Sequence, residues 1–140
     1  MAENRFGAPN LTAAVEKNVG PYKLALVYRT VSTDEGPTVH VFGPVDGNQQ
    51  EIMRFDCFLE KPHYHLGFGY LKEPVRPIEQ PEPLTWVLSE LRQRFDKYLE
   101  LSKASNELPE DWRNTTCLVA KSFAATASNW STGDDTGTTS

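Results

Sequence analysis

The sequence predicts an α+β fold: an antiparallel meander of about four strands, with one long helix packed on one face and a short N-terminal helix. Three observations carry this. Between Tyr22 and Leu71 short alternating apolar segments are separated by turn residues, which is strand spacing. The proline-bearing connector KEPVRPIEQPEP then forbids a helix interior or a central strand. Beyond it, Leu84, Leu88, Leu91, Phe95 and Tyr98 recur at helical spacing.

In chain order, Asn10 is a candidate N-cap for LTAAVEKNV, and Gly20-Pro21 reads as its stop signal, so a two-turn helix is expected there. YKLALVYRTV follows as the first strand, with Tyr22, Leu24, Leu26 and Tyr28 on its apolar side. Thr38 to Phe42 is the second, and Asp46-Gly47 the expected reversal. Glu51 to Leu59 is the third and His63 to Leu71 the fourth, in a layout short enough for hairpin connections. The helix from about Thr85 to Lys103 should cover the apolar side of the sheet. Pro109, Glu110 and Asp111 are suited to opening a further helical turn. TCLVAKSFAA fits either strand or helix. From Ser128 the polar SNWSTGDDTGTTS lacks periodicity, so residues 1–127 are expected to form one domain and 128–140 a flexible tail.

The chain has 140 residues, a length that supports one modest core. With 19 acidic against 14 basic residues and a net charge of −5, generic affinity for a nucleic-acid backbone is not favoured. No apolar run is long enough to span a membrane and no secretory leader precedes the domain, so a cytoplasmic location is expected. Cys57 and Cys117 are too few and too widely spaced for a zinc knuckle or a disulfide framework. Cys57 is expected to be a buried thiol.

Strand parity decides which residues share a face, because a one-residue slip turns every side chain over. Placing Met53, Phe55, Cys57 and Leu59 on the same side as Tyr64, Leu66, Phe68 and Tyr70 sets Phe55 against Leu66 and Asp56 against His65. Phe58 then faces His63, and Arg54 faces Gly67. Val39 and Val41 join the core, which turns His40 toward Arg54. All three histidines thus lie on one mixed face, with Arg54, Asp56 and Thr38.

The primary functional expectation is a non-catalytic interaction protein that self-associates, or binds a protein partner, through this face at Ile52, Phe58, Phe42 and His63, since so many apolar side chains need a cover. The alternative is a small metal-independent nuclease or toxin-type enzyme using His40, Arg54, Asp56 and His65, with imidazoles for proton transfer and a guanidinium for a developing anion. His63, His65 and Asp56 have the donor types of a metal site, but no compact signature such as HExxH accompanies them, so no metal and no cofactor is assigned.

The segments RFD and PHYH, followed by a connector and PLTWVLSEL, resemble small bacterial toxin-antitoxin proteins of the TumE type over residues 22–103. The resemblance rests on Arg54, Asp56, Pro62, His63 and His65. It implies a short antiparallel sheet, a histidine-rich turn, a following helix and a toxin-type activity.

Overall fold

The computed structural model describes the backbone of residues 13–139 and the side chains of residues 13–130. Among the described residues the chain forms six strands, β1 (Val15–Val19), β2 (Tyr22–Thr30), β3 (Glu35–Val45), β4 (Asn48–Asp56), β5 (His63–Leu66) and β6 (Arg76–Pro77). Two helices follow, α1 (Pro83–Leu101) and α2 (Trp112–Thr139). The strands lie in one antiparallel sheet in chain order, a meander.

The expected N-terminal helix is replaced by a strand. Val15–Val19 pairs with the start of β2, and Val19 faces Tyr22 across a two-residue reversal. Gly20 sits there at φ +58, so the Gly-Pro signal ends a strand instead of a helix. A two-turn helix is marginal in water, whereas the hairpin gains ladder hydrogen bonds and buries Val19 fully. The expected N-cap, Asn10, lies outside the described residues. Asp46-Gly47 makes the predicted reversal, with both residues at positive φ.

Both helices cover one face of the sheet. Tyr22, Leu24, Leu26, Val39, Val41, Met53, Phe55 and Leu66 form the core with Val87, Leu88, Leu91, Phe95, Tyr98 and Leu99 of α1. Burying each large apolar side chain contributes ~1.5–3 kcal/mol before entropy is subtracted. Helix α1 opens on a proline, which fits the first helical position, and is kinked at Arg94. TCLVAKSFAA is helical: Trp112, Val119, Ala120 and Phe123 of α2 enter the same core. The polar segment from Ser128 is helical in backbone, and Trp130 within it packs edge-on against Tyr28.

The parity of the central strands is as expected, but the pairing of the last hairpin is offset by two residues. Met53 faces Leu66, Arg54 faces His65, Phe55 faces Tyr64 and Asp56 faces His63. An offset of two leaves every side chain on its expected face while changing its neighbour. Strand β5 is also shorter than expected: Gly67 turns to φ +61 after Leu66, and Phe68 leaves the core side to pack on Arg54. Leu59, beyond the end of β4, is exposed instead of buried.

One irregularity reshapes the mixed face. Val41 faces Met53, but the next residue, Phe42, faces Glu51, so Ile52 is the extra residue of a β-bulge. Ile52 joins the main core, and Glu51 takes the place on the mixed face that an unbroken strand would give to Ile52.

Candidate functional site

The face away from the helices carries two polar clusters. The first is built on Asp56, at the end of β4, flanked by Thr38 of β3 and His63 of β5 in register. Its Oδ1 accepts hydrogen bonds from Arg29 Nη1 at 2.6 Å and Thr38 Oγ1 at 2.8 Å. Its Oδ2 lies 3.2 Å from His63 Nε2 and 3.6 Å from His65 Nε2. The imidazoles stand edge to face, with ring centroids 5.1 Å apart. Gly36 lets the returning loop come close, because a Cβ there would run into the Cys57 carbonyl.

Asp56 is nearly inaccessible, while the side chains of His63 and His65 are 24% and 17% exposed, so the cluster is open from the β5 side. Burial pushes the Asp56 carboxyl up, but His63, His65, Arg29 and Thr38 more than offset this and hold it well below the usual carboxylate range. His63 is shifted the opposite way. Its hydrogen bonding to Asp56 raises its pKa against the opposing effect of burial, and contact with the Lys61 carbonyl, 2.9 Å from Nδ1, adds to the rise. Both ring nitrogens of His63 therefore face oxygens, an arrangement that suits an imidazolium. An open cleft lined by Lys61, Pro62, Val75, Pro77 and Ile78 runs beside His63.

The second cluster is built on Glu51. Its Oε2 accepts from Arg54 Nε at 2.9 Å and lies 2.7 Å from His40 Nδ1, while Oε1 accepts from Arg54 Nη2 at 2.7 Å. His40 is fully buried and Arg54 almost so, with the guanidinium 4.0 Å from the centroid of the Phe68 ring. Burial pushes the Glu51 carboxyl up, and its bonds to Arg54 and His40 overcome that and bring it below the ordinary value.

The expected catalytic quartet is thus divided. Asp56 and His65 come together, joined by His63, which the sequence reading assigned to an interface. His40 and Arg54 bond instead to Glu51 in the second cluster, although Arg54 stands opposite His65 in the register. Of the expected interface residues, Ile52 lies in the main core and Phe58 is buried, packed edge-on against His63. Phe42 is half-buried against His40 and Lys23. Sequence reasoning missed Glu51, whose position depends on the bulge, and Arg29, whose parity placed it on this face without revealing its reach to Asp56. Cys57 is buried as expected, and that burial pushes its thiol far up, away from nucleophilic use.

Fold and site together define a small α+β protein: a meandering antiparallel sheet, covered on one side by helices and carrying a carboxylate-anchored histidine pair on the other. The chain belongs to the family described as Domain of unknown function (DUF7700), whose model matches residues 16–116 and so spans both polar clusters. No curated protein and no solved structure matches the chain. No helix among the described residues is long and apolar enough to cross a membrane.

Proposed function

We propose that the chain is a small acid–base enzyme whose site is Asp56, His63 and His65, acting on an anionic substrate of the phosphodiester class. The observation that carries this reading is one buried carboxylate oxygen, Asp56 Oδ2, in contact with two partly open imidazoles. In this reading His63, kept protonated by Asp56, is the general acid and gives its proton to the leaving oxygen. His65 is the general base and takes a proton from the attacking hydroxyl or water.

Charge supports the substrate class. Glu51 and Arg54 neutralise each other, whereas the single charge of Asp56 meets the Arg29 guanidinium and, whenever His63 is protonated, its imidazolium as well. That local excess of positive charge favours an anion and the further charge that develops in its transition state. A non-catalytic interaction role would need apolar side chains at the surface of this face, and Ile52 and Phe58 are buried.

A toxin-type setting fits the same residues and supplies a cellular test. Expression of the wild type should slow bacterial growth, and purified protein should cleave a generic single-stranded RNA. His63→Ala and His65→Ala should each reduce cleavage by about 10²–10⁴-fold, the ordinary worth of a general acid or base, while the circular dichroism spectrum is unchanged. Equal cleavage by wild type and both variants would remove the reading.

A further inference from the structure

We propose that Asp56, His63 and His65 form a binding site for one divalent transition-metal ion of the zinc type. This rests on the site of the proposed function and takes its residues as ligands: an imidazole whose Nε2 holds the ion cannot also act there as general acid or base, so in the metal-bound form an ion-polarised water would supply that chemistry. The three donor atoms lie within 4.8 Å of one another, and the two that involve Asp56 Oδ2 are separations of 3.2 and 3.6 Å. An ion of this type holds nitrogen and oxygen ligands at about 2.0–2.2 Å, which sets tetrahedral donors about 3.3–3.6 Å apart. Two edges of the set are already close to that spacing, and the third is no longer than 4.8 Å.

The neighbours of the three side chains orient them as ligands. With Nδ1 of neutral His63 donating to the Lys61 carbonyl, Nε2 carries the lone pair, and it is Nε2 that faces the shared point. Arg29 and Thr38 occupy Oδ1 of Asp56 and leave Oδ2 as the oxygen that both histidines approach. Outer partners of this kind fix ligand orientation in metal centres. Two imidazoles and one carboxylate suit zinc, iron(II), cobalt or nickel better than magnesium or calcium, which prefer all-oxygen sets.

Three protein ligands leave at least one coordination position for water or substrate, as in catalytic centres and unlike closed structural ones. The partial exposure of His63 and His65 places that position toward solvent. Arg29 acts against the ion by charge, so the site should bind more weakly than one whose carboxylate has only neutral partners.

The test uses the full chain freed of metal by chelation, titrated calorimetrically with zinc chloride alone and followed by absorption with cobalt chloride. The expected result is one equivalent of zinc, a cobalt d–d band of low-coordinate type, and loss of at least a hundredfold in affinity for both His63→Ala and His65→Ala. Thr38→Val, which removes only an outer partner, should weaken binding about tenfold. Cys117→Ser should leave it unchanged. If an alanine variant fails to fold, the nitrogen NMR shifts of His63 and His65 in the wild type give the same answer, since both Nε2 signals must move on zinc addition. No binding, or binding with unmoved Nε2 signals, overturns the proposal. Absent zinc binding with RNA cleavage intact would remove the metal and leave the acid–base reading, whereas stoichiometric zinc without cleavage would do the reverse.

Discussion

Glu51 and Arg54 stand three residues apart on one strand, yet their side chains meet in a two-point ion pair on the same face of the sheet. An unbroken strand points such residues to opposite faces; the bulge at Ile52 is what brings them together. Removing one partner should leave the other as an uncompensated charge. Glu51→Ala should therefore destabilise the protein by about 3–5 kcal/mol in urea denaturation, and adding Arg54→Met should recover a large part of that loss. A cost below about 1 kcal/mol for Glu51→Ala would show that the pair is not buried as described.

Stability in the metal-free protein should pass through a maximum on the mildly acid side of neutrality. The Asp56 and Glu51 carboxyls titrate below their ordinary values in the fold, so their contribution is full above the unfolded carboxylate range and is lost as pH falls through the folded values. His63 titrates above its ordinary value, so its contribution is full below about 6.5 and is lost as pH rises through the folded value. Denaturation midpoints measured from pH 3 to 9 should fall at both ends. His63→Gln should flatten the alkaline side and, by removing the main partner that holds the Asp56 carboxyl down, also reduce the slope on the acid side, whereas Glu51→Gln should reduce the acid slope only.

Gly36→Ala should be far more damaging than Gly47→Ala. A Cβ at Gly36 runs into the backbone of Cys57 and Phe58, which lead the chain toward His63, whereas one at Gly47 meets nothing within 4 Å and faces only the strain of φ +81. Thermal melts should show about 1 kcal/mol or somewhat more for Gly47→Ala and more than 2 kcal/mol for Gly36→Ala. Similar losses at the two positions would contradict the close approach.

Trp130→Ala should loosen the later part of α2. The indole packs on Tyr28 of the sheet, in a segment whose sequence carries no apolar period. Amide exchange around residues 124–130 should quicken at least tenfold while the strands keep their protection. Unchanged exchange would show that the contact does not anchor the helix.

Much of the site's placement was legible from side-chain alternation. Val39, Val41, Met53 and Phe55 had to share the core, which sends Thr38, His40, Arg54 and Asp56 to the other face, where they are found. Alternation fixes register only to within two residues, however, so it could not separate Asp56 opposite His65 from Asp56 opposite His63. That choice depends on where Gly67 ends β5 and on the path of the loop from Cys57 to Pro62, neither of which has a periodic signature. The bulge was equally silent, since Glu51 and Ile52 read as ordinary members of an alternating strand. At the N-terminus Asn10 and Gly20-Pro21 are as good a helix frame as a hairpin frame, and the pairing that decides between them is non-local.

The central claim is that the Asp56 carboxylate holds His63 in place, and NMR titration of the His63 imidazole in metal-free protein tests it most directly. The expected result is a His63 pKa above about 6.5 that drops toward that value in a folded Asp56→Asn variant. A His63 that titrates at or below the ordinary value, and does not respond to Asp56→Asn, would contradict the claim.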